Sequence, residues 1–283
     1  MNTKINKNVD LGVNIQYQGS ETAESSYGSE ELFGLLFDNR GRQPIYQPER
    51  ENYESIYNGD LQDNPIDLMQ NGGEKNVKRE YFTGKVQLTI KDLIKNFRIN
   101  LSASRKAGYY SQEINKRTLK YYQMDGKVRR AKNPRYSLLQ EKNSAYHDVL
   151  EATANYTFSL KDRHNFSILA GTSYENYRLD DITATAYNML SNDFYSFNYY
   201  DSSLGINSDL TDNIETWAMM SYFGRLNYNF KERYLFEANV RYDGSSRLAP
   251  EKRWKLFPSV SAAWRESEED WFKVYCISSL KLR

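Results

Sequence analysis

The sequence predicts an all-β chain: an antiparallel up-and-down meander of about nine strands, forming part of the wall of a larger transmembrane β-barrel. Three observations carry this. Apolar and polar residues alternate with period two over many segments of roughly ten residues. The apolar side of those segments is free of charge while the opposite side is rich in it. Connections between them alternate long and short, as in outer-membrane barrels, which have short turns at one end and longer loops at the other.

The clearest segment pair is a hairpin. Tyr222, Gly224, Leu226, Tyr228 and Phe230 share one face of an extended strand, opposite Arg225, Asn227 and Asn229. After Lys231, Glu232 and Arg233 the pattern resumes with Tyr234, Phe236, Ala238, Val240 and Tyr242 against Glu237, Asn239, Arg241 and Asp243. One face must meet an apolar medium and the other water. A β-sandwich and a lipid-facing barrel both satisfy this hairpin taken alone.

From the N-terminus, Ile5, Val9, Leu11, Val13, Ile15 and Tyr17 predict a first strand, with Lys7 the only charge on its apolar side. Gln18 to Glu80 loses the periodicity, carries Pro44, Pro48, Pro65 and Gly72-Gly73, and reads as a long loop. Phe82, Gly84, Val86, Leu88 and Ile90 then pair with Phe97, Ile99, Leu101 and Ala103 across the short turn Lys91 to Asn96. Arg105 to His147 is a second long polar stretch, whose cations Lys127, Arg129, Arg130 and Lys132 read as a solvated face. Leu150 to Leu160 and Phe166 to Tyr174 form a third hairpin across Lys161 to Asn165. Tyr177 to Glu215 is the third long connection. A loop over Gly244 to Leu256, a strand Phe257 to Arg265, an acidic turn and a strand Ile277 to Arg283 complete the chain.

Strands of about 10 residues, at roughly 3.3 Å per residue and a tilt near 40°, cross an apolar band of about 25 Å. Phe158, Phe166, Tyr228, Phe230 and Tyr234 lie at the short-turn ends and predict an aromatic girdle there. Aromatics make up 14 % of the chain and Tyr occurs 24 times, in keeping with rings placed between lipid and headgroups. The mean hydropathy of −0.81 is compatible with a barrel, because half of every strand and all the loops are polar.

Composition also excludes. A net charge of +1 supplies no field for nucleic acid. The single cysteine, Cys276, forms no internal disulfide, and two histidines, His147 and His164, offer no metal cluster or catalytic constellation. The chain reads as a non-enzyme without a cofactor; Asp180-Asp181 could contribute to a loop calcium site, set against the reading of an exposed acidic pair as simply solvated. The N-terminus lacks the apolar core of a signal peptide. An open sheet would leave unpaired edges in hydrocarbon, so the expected unit is residues 1–283 as a piece of a larger barrel.

Four ordered words carry a family resemblance: Tyr-Phe-Gly-Arg-Leu-Asn-Tyr from Tyr222, Arg-Tyr-Asp-Gly-Ser-Ser-Arg (Arg241, Tyr242, Asp243, Gly244, Ser245, Ser246, Arg247), Phe257 to Arg265, and Ser279 to Arg283. Mainly over Ala218 to Arg283, the chain resembles the barrel region of SusC/RagA-type TonB-dependent outer-membrane transporters. The resemblance implies import of glycans or other oligomers such as peptides across the bacterial outer membrane. It also implies a SusD-like surface lipoprotein as partner, and coupling to TonB through a segment and plug domain that residues 1–283 do not contain. A secreted carbohydrate-binding β-sandwich and a passive porin are the alternatives. Phe194, Tyr195, Phe197, Tyr199 and Tyr200, in the third long connection, are the candidate ligand-binding cluster, set against a packing role for the same rings. Asp243-Gly244 is also a turn signal, so the motif can be structural.

Overall fold

Alternation does fold as strands, and the strands pair in sequence order. The computed structural model describes residues 2–38, 63–122, 127–191, 195–201, 208–272 and 280–282. The described strands are β1 (Asn2–Asn6), β2 (Val9–Ser25), β3 (Gly73–Lys91), β4 (Phe97–Lys116), β5 (Leu119–Tyr122), β6 (Val128–Lys132), β7 (Ser137–Leu160), β8 (His164–Tyr187), β9 (Ser208–Phe230), β10 (Tyr234–Ser245), β11 (Trp254–Arg265) and β12 (Lys281–Leu282). Ten of them form one antiparallel sheet in the order β1-β2-β3-β4-β7-β8-β9-β10-β11-β12, and β5 and β6 form a separate hairpin.

The register aligns the apolar residues of neighbouring strands into rows. Val9, Ile90, Ile99, Ala154, Ala170, Gly224, Val240 and Pro258 are successive partners across eight strands. The next row on one side is Leu11, Leu88, Leu101, Ala152, Thr172, Tyr222, Tyr242 and Leu256. A one-residue slip anywhere would turn one strand's apolar set to the polar face, which is why the period-two pattern fixes this register. Phe82, Val86, Leu101, Leu150, Ile168, Tyr222, Leu226, Phe236, Val240 and Val260 are all exposed, with no second layer among the described residues covering them. This is not a β-sandwich.

Connection lengths sort by end from β1 to β10, while residues 246–253 and 266–280 further on do not follow the rule. Lys7-Asn8, Asp92 to Asn96, Lys161 to Arg163 and Lys231 to Arg233 close the short-turn end, while residues 26–72, 117–136 and 188–207 join strands at the other. Two short turns share a conformation: Lys161 and Asp162 have φ of 54° and 51°, Lys231 and Glu232 of 49° and 59°. Positive φ at both central residues is the type I′ turn, whose twist suits a two-stranded hairpin. Each is closed by a backbone bond, Arg163 N–H to Leu160 C=O and Arg233 N–H to Phe230 C=O.

Several expectations need correction. The first strand is two: a hairpin at Lys7-Asn8 separates β1 from β2, so Lys7 lies in a turn, and Asn8 Nδ2 donates to Lys91 C=O. The sheet has ten strands rather than about nine among the described residues. β2, β3, β4, β7, β8 and β9 are far longer than 10 residues, reaching 24 in β7 and β8. Much of the three long polar stretches is therefore strand: β2 runs on to Ser25, β3 starts at Gly73, β4 continues to Lys116, β7 starts at Ser137, and the third stretch holds the end of β8 and the start of β9. Beyond the apolar rows both faces carry polar residues, as at Lys142 and Asn143 in β7, so the hydrophobic alternation fades while the hydrogen-bonded ladder goes on. The Gly244 to Leu256 loop shrinks to residues 246–253, and Asp243-Gly244 lies inside β10 instead of forming a turn. Of the last predicted strand only Leu280 to Leu282 falls within the described residues.

The first two long connections pack together as a small cap. Helix α1 (Gly28–Asp38) and helix α2 (Pro65–Asn71) enclose Tyr27, Leu68 and Leu119, with Leu32 and Leu35 against them. Asn64 caps α2 by accepting from the Ile66 N–H, and Pro65 occupies the first turn, where its missing donor is harmless. The cations of the second stretch are not merely solvated. Arg130 and Lys132 both pair with Asp63, Lys132 also reaches Glu31 at 2.9 Å, and Arg130 lies over the Tyr121 ring at 4.3 Å. Burial tends to raise the Asp63 pKa, but hydrogen bonds from Lys132 and Arg130 outweigh it and hold the carboxyl below its ordinary value. Burial pushes the Tyr27 hydroxyl up to about 12 against the opposing Lys132 charge.

Candidate functional site

The sheet presents two chemically distinct faces. The outward positions of β7 from Leu150 to Leu160, and their partners on neighbouring strands, carry no Asp, Glu, Lys or Arg. This uncharged band is six residue rows tall, from the row of Leu160, His164, Phe230 and Tyr234 to the row of Ala103, Leu150, Tyr174 and Met220. Ten residue steps at roughly 3.3 Å with a tilt near 40° give about 25 Å, the height of a bilayer's apolar band. One row further, Arg105 faces Asp148 in a bidentate pair at 2.6 and 2.8 Å.

The expected aromatic girdle is present at the short-turn end. Tyr156, Phe158, Phe166 and Tyr228 form a ladder of rings with centroid separations of 5.4, 4.9 and 4.9 Å. Phe230 and Tyr234 follow at 6.3 Å, and Tyr228 bonds His164 Nδ1 at 2.8 Å. Cross-strand ring pairs of this kind stabilise a sheet and suit a membrane interface.

The opposite face is polar and internally bonded. Thr89 donates to Asn100 at 3.0 Å, Arg225 to Asn239 at 2.7 Å, and Asn239 to Glu237 at 2.8 Å. Arg241 holds Asp243 at 2.7 Å and Ser221 at 3.0 Å, with its guanidinium 5.8 Å from the Phe223 ring. In Arg241 to Arg247, alternation splits the work. Arg241 and Asp243 serve the polar face, whereas Tyr242 and Gly244 lie on the apolar side beneath Trp254. A Cβ at Gly244 would come within 2.6 Å of the Trp254 indole, so only glycine leaves room for that ring. Ser245 and Ser246 close the corner: Ser245 N–H donates to Arg253 C=O, and Ser246 Oγ accepts from the Ala218 N–H. Arg247 reaches back to Glu215 and stacks over Trp217 at 5.0 Å.

That combination, an uncharged band of membrane height backed by a bonded polar face, is what a barrel wall requires, and the sequence comparison is decisive. The model of the β-barrel of TonB-dependent receptor-like proteins matches residues 10–276. The chain belongs to the TonB-dependent receptor β-barrel family. This receptor barrel is 50 % identical over 67 residues to the TonB-dependent receptor SusC of Bacteroides thetaiotaomicron, covering 23 % of this chain and 7 % of that one. It is 33 % identical over 144 residues to the TonB-dependent receptor P39 of Formosa agariphila, covering 50 % and 14 %. Its fold matches the RagAB peptide importer in the open-open state with a TM-score of 0.77 at 17 % identity, over 99 % of this chain and 30 % of that one. The receptor barrel thus spans a small part of the length of its relatives.

The sequence-predicted ligand cluster divides between packed and exposed rings. Phe197 packs against Tyr136, Leu138, Ala186 and Met189, while Tyr195, Tyr199 and Tyr200 remain exposed and Phe194 lies outside the described residues. Asp180 and Asp181 fall on opposite faces of β8, with Asp180 held by Arg178 at 2.6 and 2.8 Å, so the two do not chelate one ion together. Sequence reading missed the polar-face row His147, Tyr177 and Trp217, because those residues were assigned to loops or left outside any strand.

Proposed function

We propose that this chain is a wall segment of a bacterial outer-membrane importer that takes up glycans or other oligomers, peptides included, driven through TonB. The uncharged band carries the reading: six exposed apolar rows ending at Arg105 and Asp148 are costly in water and favourable in lipid. The polar face, with Arg225, Glu237, Arg241 and Asp243, then lines the lumen. A SusD-like surface lipoprotein is the partner that the similarity to SusC supports. Transport, not catalysis, is the role this reading assigns. A passive porin would share the band, and the family membership favours the energised importer.

The test is directional labelling of the complete protein in outer-membrane vesicles, in a Cys276→Ser background. Cysteine at Val240 should react with a membrane-partitioning maleimide and resist a charged one, and cysteine at Arg241 should do the reverse. Reaction of both with the charged reagent would sink the membrane reading. Growth on single glycan or peptide sources, followed with the complete gene present or deleted and with or without TonB, then separates importer from porin. A porin would leave uptake insensitive to loss of TonB.

A further inference from the structure

We infer that His147, Tyr177 and Trp217, with Arg247, form a saccharide-stacking platform on the polar wall. The proposal rests on the reading of that face as the lumen. The three ring residues are direct partners in one register row across β7, β8 and β9. Tyr177 and Trp217 stack with centroids 5.5 Å apart at 20°, and His147 lies 5.7 Å from Trp217. Arg247 covers Trp217 at 5.0 Å while bonded to Glu215, and Glu175 stands 3.4 Å from His147 Nε2.

The row toward the membrane centre holds Lys85, Ser104, Val149, Glu175 and Met219, and the one beyond it Gln87, Ser102, Glu151, Ser173 and Ser221. In the row after that Phe223 is a single ring beside the Arg241 guanidinium, whereas His147, Tyr177 and Trp217 are three adjacent rings in one row. No described element covers the three rings, whose side chains are partly exposed. They stand level with Arg105 and Asp148, at the outer edge of the uncharged band, below the part of β7 and β8 that runs on to Ser137 and Tyr187 and so on the path from the long-loop end into the lumen.

The chemistry narrows the ligand. A pyranose offers C–H groups on a flat face that settle on an aromatic ring, and a rim of hydroxyls that need acceptors and donors. Here the rings are flanked by two carboxylates, Glu175 and Glu215, and by a guanidinium whose side chain is 59 % exposed. A purely apolar ligand would strip water from the Arg247–Glu215 pair and from Glu175 without replacing its hydrogen bonds, and a nucleic acid would be repelled by the carboxylates. Adjacent strands are about 4.8 Å apart, close to the repeat of a linear oligosaccharide, so side-by-side rings suit a chain of sugars better than a single one.

The experiment is calorimetric titration of the complete detergent-solubilised protein with maltoheptaose, cellohexaose, xylohexaose and a tryptic casein digest. At least one saccharide should bind. Trp217→Ala should weaken it by about tenfold or more, and Trp217→Phe, which keeps a ring, by about threefold or less. Asn227→Ala, on the same face but toward the short-turn end, should leave it unchanged. If Trp217→Ala fails to fold, Arg247→Ala at its exposed side chain should still weaken binding by about threefold or more. Failure of wild type to bind any of the saccharides, or equal affinity in wild type, Trp217→Ala and Arg247→Ala, overturns the platform. Binding of the casein peptides alone overturns it too while leaving an importer, whereas charged-reagent labelling at Val240 would remove the lumen reading itself.

Discussion

Arg105 and Asp148 face each other across β4 and β7 in a bidentate pair at 2.6 and 2.8 Å, the first charges on a face that is uncharged for six rows beneath them. Each is an uncompensated charge without the other. The pair therefore marks the upper end of the uncharged band, which on the proposed reading is where hydrocarbon gives way to headgroups.

Depth along that face should set the cost of a new charge. Val240 lies in the fourth of the six rows counted from the short-turn end, near mid-band, and Leu150 in the last. Val240→Arg in the complete barrel should cost about 2 to 4 kcal/mol and Leu150→Arg about 1 kcal/mol or less. Arg241→Gln, on the opposite face, should also cost little. Urea unfolding midpoints from lipid vesicles provide the comparison, and equal costs at Val240 and Leu150 would misplace the boundary.

Gly244 is held by a ring rather than by a turn. A Cβ there would sit 2.6 Å from the Trp254 indole, which stacks on Tyr242 at 4.8 Å. Gly244→Ala should displace the indole and destabilise by about 1 to 3 kcal/mol, with a shift in tryptophan emission. A silent substitution would mean that the ring moves aside freely.

Lys231 and Glu232 hold left-handed backbone at φ of 49° and 59° without being glycine or asparagine. Replacing them with Asn-Gly should relieve strain and stabilise the hairpin by about 1 kcal/mol. The readout is the same unfolding midpoint, and a lower midpoint would contradict the turn assignment.

The cap should loosen at both pH extremes. Asp63 is held below its ordinary value of 3.8, so its contribution is present above that pH and is lost as pH falls through the lower folded value. Tyr27 is raised from 10.0 to about 12, so its contribution is full below pH 10.0 and lost as pH rises through about 12. Hydrogen exchange at α2 should report both transitions, and Asp63→Asn should abolish the acid one alone.

What the sequence determined by itself was everything that alternation encodes. Leu226 and Val240 against Arg225 and Arg241 fixed the faces and excluded odd slips of register, because a one-residue slip would bring charge to the apolar side. Short turns such as Lys231 to Arg233 fixed the order of neighbouring strands, and the words around Arg241 to Arg247 pointed to the family. Only tertiary structure decided where the strands end. β7 continues above Leu150 through Tyr146, Ser144 and Lys142, where both faces carry polar residues and cross-strand bonds replace hydrophobic contrast. The same loss of contrast hid the row His147, Tyr177 and Trp217, whose members lie far apart in the chain and meet through register alone. Gly244 read as a turn residue for a related reason: the ring that demands a glycine comes from Trp254, on the next strand, and local chain chemistry carries no trace of a neighbour brought in by pairing.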